Sequence, residues 1–223
     1  MNISPELLKK FASDYRAEPA NALIAGAVAK SGIEDASFNY DVRRRHNFYF
    51  SHETKRGEIT NQKKSGRCWM FASLNAARVE IMKKLNLETF ELSQNYTLFW
   101  DKLEKSNYFF ESILETLDEP LEGRLLAHLL ANPIQDGGQW DMFSGILQKY
   151  GAVPKDVMPE TFHSSDTRFF VAELTHRLRK YAQLLRDGHK AGKSIKELRA
   201  DKETYLSHVY SFLVKALGEP PRV

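Results

Sequence analysis

The stretch TNQKKSGRCWMFASLNAARVEI, residues 60–81, holds the only cysteine of the chain, Cys68, with Trp69 after it and Gln62 six positions before it. A cysteine attacks a carbonyl as its thiolate, and a free thiol is mostly protonated at neutral pH. The first turn of a helix favours negative charge, because its backbone N–H groups are unpaired and the positive end of the dipole lies there. Cys68 stands where a nearly all-apolar helix begins, and Ser65 and Gly66 are expected to supply the cap and the tight entry to it. Acyl transfer also needs donors aimed at the developing oxyanion. The backbone N–H of Cys68 is one such donor, and the side-chain amide of Gln62, looping back across the small residues between, is a second. The competing reading is a thiol buried as a small hydrophobe, which an apolar context alone would favour. The combination of Gln, five residues, Cys-Trp, one residue and Phe-Ala favours the nucleophile.

No other cluster offers chemistry. His46, His52, His128, His163, His176 and His189 lack the paired spacing of a metal site, H-E-x-x-H is absent, and one cysteine cannot build a thiolate zinc site. No metal and no cofactor are expected. One cysteine also excludes an internal disulfide and fits a reducing compartment, so a cytoplasmic location is expected. The net charge of +3 is too small to argue for nucleic acid by itself. The local basic runs at Arg43 to His46 and at Lys63 and Lys64 read as solvated surface.

The elements that must position Cys68 are mostly helices. The chain has 223 residues, 42% hydrophobic and 27% charged, so a normal core can form in one large domain or one and a half small ones. Ser4 followed by Pro5 starts a first helix. The apolar run ANALIAGAVA, residues 20–29, shares features with a signal peptide, but Glu6, Asp14 and Glu18 precede it and it is too short to span a bilayer. It reads as a buried helix. The alternating, aromatic HNFYFSHE, residues 46–53, reads as a short strand.

The helix from Cys68 carries two apolar stripes. Met70, Leu74, Ala77, Ile81 and Leu85 form one, and Trp69, Ala72, Ala76 and Val79 the other. It should therefore lie inside the protein and end at a left-handed Asn86. Further helices are expected over 93–117 and 121–132, and from Asp141 to a terminating Gly151. Two more should span about 166–187 and the stretch from a capping box at Ser194 and Glu197 to Leu217. QDGGQW, residues 135–140, is a loop. The domain organisation reads as 1–60, an N-terminal helical segment with a short strand; 61–160, a helical lobe with the Cys68 helix; and 161–223, a helical insertion.

NQKKSGRCWMFA resembles the active-site segment of papain-like cysteine proteases, and within them that of the bleomycin hydrolase and bacterial aminopeptidase C family. Residues 92–107, 136–143, 150–161 and 205–221 resemble the same family, and the basic Arg67 before the cysteine favours this branch. The resemblance implies an α+β, mostly helical fold. It would be the left, helical lobe of a papain-like cysteine peptidase with helical insertions, the β-rich lobe missing. It implies that Cys68 is the nucleophile and Gln62 the oxyanion donor. Gly137 and Gly138 would be the glycine pair whose backbone pairs with an extended substrate, and Trp140 and Asp141 would follow that loop. The implied function is a cysteine-type aminopeptidase acting through a thioester.

A papain-like enzyme also needs a His base and an orienting Asn downstream. His208 has the right spacing from Cys68, but it falls within the helical YLSHVYSFLVKAL, whereas the papain-type His belongs to a strand. In the aminopeptidase C branch helical insertions push the His and Asn farther on, beyond Val223. The chain is thus expected to be the N-terminal half of such an enzyme, with little or no activity alone. Peptide substrates and a homo-oligomer, the hexameric ring of the full-length family, are the implied partners; no membrane is. The family's exopeptidase limit comes from a C-terminal tail that enters the cleft. The alternative is a non-catalytic truncated fragment, or half of a split enzyme acting as an assembly or interaction module. Nucleic-acid binding, reported for some relatives, is permitted by the basic runs without being required.

Overall fold

A computed structural model describes residues 2–47, 49–54 and 57–221. It divides into two compact units, Met1–Glu53 and Thr54–Val223.

In the first unit Ser4 behaves as its type dictates. Its Oγ accepts the Leu7 N–H at 3.2 Å and Pro5 opens helix α1, Pro5–Ala17. Helix α2, Ala20–Ala36, follows and is broken at Gly32, whose φ of 82° only a glycine adopts freely. Reciprocal bonds between Tyr15 and Asn21 tie α1 to α2. Asn39 caps the short α3, Tyr40–Arg45. The apolar run of 20–29 is helical as expected, but it is not buried: Leu23 is 79% exposed and Ile24 56%. Three short helices supply no second layer that could cover it. The alternating stretch 46–53 forms no strand among its described residues, because alternation needs a neighbouring strand to pair with. Phe48, in its middle, lies outside the described residues.

The second unit holds α4 (Cys68–Lys84), α5 (Gln94–Glu115), α6 (Arg124–Ala131), α7 (Trp140–Tyr150), α8 (Phe162–Ser165), α9 (Arg168–Lys190) and α10 (Ile195–Leu217). Helix α5 is the shared axis. It packs with α9 and α10 on one hand and with α4 and α7 on the other. Leu98, Phe99, Phe110 and Ile113 of α5 are fully buried together with Leu174, Leu178, Leu198, Val209 and Leu213 of the two long helices. Aromatic pairs such as Phe99–Tyr210 and Phe170–Phe212 close this core. The stops are local chemistry: Asn86 at φ 51°, Gly151 at φ 71° and Gly218 at φ 92°. Ser194 and Glu197 form the expected capping box at the head of α10. Sheet structure among the described residues amounts to two isolated bridges, Lys64 with Asp166 and Leu92 with Pro154. No helix among them is long and apolar enough to cross a membrane.

Helix α4 meets its expectation on one side only. Met70, Phe71, Leu74 and Met82 are buried, whereas Ala72, Ala76 and Leu85 are exposed. Of its second apolar stripe, Ala72 and Ala76 are exposed and Trp69 and Val79 half-buried, because α5 and α7 pack on one face of the rod.

Candidate active site

Cys68 is the first residue of α4 and its thiol is free and exposed. It makes no side-chain hydrogen bond among the described residues, so it is not the buried small hydrophobe. The helix entry differs from the expectation in one respect. Arg67 is the N-cap residue, and no side chain caps the first turn. Ser65 lies two positions too early. Its hydroxyl instead donates to the Gln62 carbonyl at 2.7 Å and accepts from Arg67 Nε at 2.8 Å. The first-turn N–H groups of α4 are left without a capping side chain, which suits a site that must receive negative charge.

Arg67 is fully buried, and that fixes the entry. Its guanidinium forks onto Glu160 with bonds of 2.8 and 2.7 Å and lies 5.1 Å from the centre of the Phe71 ring. A bidentate pair of this kind specifies direction as well as charge. Upstream, Lys63 takes a left-handed φ of 52° while its N–H bonds Asn61 Oδ1, and Lys64 exchanges backbone bonds with Ser165 and Thr167. Residues 62–67 are thus pinned at both ends. The Gln62 side chain is half-buried, and its carboxamide has no hydrogen bond among the described residues.

The glycine loop is held against this entry. Trp69 Nε1 donates to the Asp136 carbonyl at 2.8 Å. A Cβ on Gly138 would come within 2.6 Å of the Trp69 indole, so glycine is required there by packing. Gly137 has no such neighbour, and a Cβ there would meet open space. The glycine pair therefore divides its tasks: one residue admits Trp69, while the other offers its carbonyl to Lys105 Nζ at 2.7 Å.

Two lysines of α5 complete the support. Lys102 Nζ reaches the Gln135 carbonyl at 2.7 Å, Asp136 Oδ1 at 2.9 Å and Asp101 Oδ2 at 3.2 Å. Lys105 Nζ bonds the Gln135 and Gly137 carbonyls and Asp101, and sits 5.4 Å from the Trp69 ring centre. Burial pulls the Lys105 ammonium below the ordinary lysine range; the attraction of Asp101 opposes this without reversing it, and the like charge of Lys102 adds to the lowering. Burial by itself would raise the Asp136 carboxyl. The Lys102 ammonium and the bonds from Thr167 and the Gly66 N–H overcome it and hold the group below the usual carboxylate range.

The expected residues are therefore distributed as follows. Cys68 and the Gly137–Gly138 loop are brought together through Trp69. Gln62 stands in the pinned entry loop. Trp140 and Asp141 open α7 and are exposed. His208 lies on α10, as expected, with Nδ1 3.3 Å from Tyr181 Oη. No metal-binding cluster occurs among the described residues. Asp136, Lys102, Lys105, Thr167 and Glu160 were not singled out from sequence, although the i, i+3 pair of lysines in DKLEK and the acid just before the glycines were visible signals.

With this geometry in hand, comparison with known proteins is decisive. Residues 2–223 match the family model described as the Peptidase C1-like family. The chain belongs to the Peptidase C1-like family. Among curated members it is 46% identical over 221 residues to Aminopeptidase C of Listeria innocua, covering 99% of this chain and 49% of that protein. It is 41% identical over 215 residues to Aminopeptidase E of Lactobacillus helveticus, covering 96% and 49%. The crystal structure of PepW from Lactobacillus rhamnosis superposes with a TM-score of 0.93 at 46% identity, covering 99% of this chain and 49% of that one. The chain spans about half the length of the relatives it matches. Within this peptidase family the nearly all-helical fold is that of the helical lobe of a papain-like peptidase, as the sequence led us to expect.

Proposed function

We propose that this chain is the nucleophile-bearing, helical half of a cysteine aminopeptidase. Cys68 attacks the carbonyl of the first peptide bond of a substrate. The shorter acyl part remains on sulfur as a thioester, the remaining peptide leaves with its new amino group, and water then hydrolyses the thioester. The Cys68 N–H and the Gln62 carboxamide receive the oxyanion, and the Gly137–Gly138 loop seats the substrate backbone. The His base and its orienting Asn come from the β-rich lobe, so these 223 residues alone turn over little or nothing. A cytoplasmic, homo-oligomeric (hexameric) enzyme acting on peptides is part of the same reading.

One observation carries it. An exposed thiol at an uncapped helix start is clamped, through the next residue, Trp69, onto the glycine loop. The names and coverage of the relatives agree with that reading.

The test is hydrolysis of aminoacyl fluorogenic amides by the native protein purified from its source, beside the 223-residue polypeptide. The native protein should turn them over. Cys68→Ala should lower kcat by about 10⁴-fold or more, and Gln62→Ala by about 10²- to 10³-fold. Turnover that survives Cys68→Ala would rule out the nucleophile. Robust turnover by the 223 residues alone would rule out the half-enzyme.

A further inference from the structure

Four groups from three separated parts of the chain converge on Asp136. Its Oδ2 accepts the Gly66 N–H at 3.2 Å and the Thr167 hydroxyl, and its Oδ1 lies 2.9 Å from Lys102 Nζ. Its own carbonyl takes the Trp69 indole N–H. We propose that Asp136 is a positioning residue that fixes the distance between the segment carrying Gln62 into Cys68 at the head of α4 and the loop bearing Gly137 and Gly138. The proposal rests on the reading of Cys68 as nucleophile.

The contact is close and specific. Gly66 has no Cβ, and one built there would lie 2.7 Å from the Asp136 Cβ, so the two loops touch at this point. The polar groups that meet the carboxylate among the described residues are donors: a backbone N–H, a hydroxyl and an ammonium. Only an ionised carboxylate accepts from all of them; an amide of the same shape must turn its NH₂ toward one. Lys102, with no exposed side-chain surface, also holds the Gln135 carbonyl, so the anchor continues into α5. Thr167 belongs to the segment that pairs with Lys64. One side chain thereby joins the oxyanion loop, the substrate loop, α5 and the head of α9. Neither loop carries the site alone, because the thiol and amide act on a carbonyl whose backbone is seated on the glycines. A displacement near 1 Å between such parts costs about 10²-fold in rate.

Two variants test this, Asp136→Asn and the milder Thr167→Val, with two readouts. Hydrogen exchange on the 223-residue chain reads the tie directly. In Asp136→Asn, amides of 62–67 and 135–138 should exchange at least about tenfold faster, while those of α5 and α10 hold their wild-type rates. In the native protein, kcat/KM for aminoacyl amides should fall by about 10²-fold with KM rising. Alkylation of Cys68 by iodoacetamide, which needs no seat on the glycine loop, should change less than threefold. Thr167→Val should move both loop readouts in the same direction by a smaller factor. Unchanged exchange at 62–67 in both variants, or kcat/KM within twofold of wild type in Asp136→Asn, overturns the proposal. If turnover instead survives Cys68→Ala, the nucleophile reading fails, while the exchange result still decides the tie.

Discussion

The first three helices and the last seven follow the same local rules and reach different ends. Ser4 caps α1 and Ser93 caps α5 with the same bond, a hydroxyl accepting the N–H three residues on. Apolar residues are plentiful in both units. Yet no residue of α1, α2 or α3 is buried, whereas α5 alone buries Leu98, Phe99, Phe110 and Ile113 completely. The contrast separates two jobs that sequence mixes. Capping decides where a helix starts, while stability comes from what covers its apolar face. A unit of about fifty residues is near the size at which covering that face becomes difficult.

The largest expected effect sharpens this contrast directly. Phe110→Ala should destabilise the chain by about 3–5 kcal/mol, since a fully enclosed ring leaves a cavity. Leu23→Ala should cost less than about 0.5 kcal/mol. Urea denaturation of the two variants measures both, and equal losses would break the comparison.

Ion pairs offer the next test. Arg67→Ala removes a fully buried guanidinium from Glu160 and should cost about 3 kcal/mol. Arg44→Ala removes a pair whose members are both mostly exposed, and should change stability by no more than about 0.5 kcal/mol. Midpoints in urea, with salt held constant, would show the ranking.

The smallest effect compares the two serine caps. Ser93→Ala should cost about 1–2 kcal/mol, because its buried hydroxyl also donates to the Met158 carbonyl. Ser4→Ala should cost about 0.5 kcal/mol at an exposed end. Circular dichroism melts of the pair give the difference, and a larger loss from Ser4 would reverse the lesson.

What the sequence reveals divides along the same line. Ser4-Pro5, Ser194 with Glu197, Asn86 and Gly151 announce helix ends, since each acts within a few residues of itself. Cys68 and Gln62 stood out by their types and spacing, and the two glycines only through the resemblance to a peptidase family. The exposure of 20–29 was not, because an apolar period does not say what will cover it. The strand expected over 46–53 failed for want of a partner, a fact outside its own residues. Ser65 had the right chemistry for a cap and stood two residues too early. The partners of Asp136 and Lys102, and the Arg67–Glu160 fork, were out of reach because each contact joins segments more than thirty residues apart. Side-chain type alone leaves such partners open.

The indole lying where a β-carbon of residue 138 would stand has an evolutionary consequence. Positions 69 and 138 share a single volume, so neither can drift alone. A side chain gained at 138 evicts the ring, and a smaller residue at 69 vacates the space but gives up the N–H that reaches Asp136. A library randomised at both positions should return Trp with Gly, or a matched exchange, and few mixed solutions.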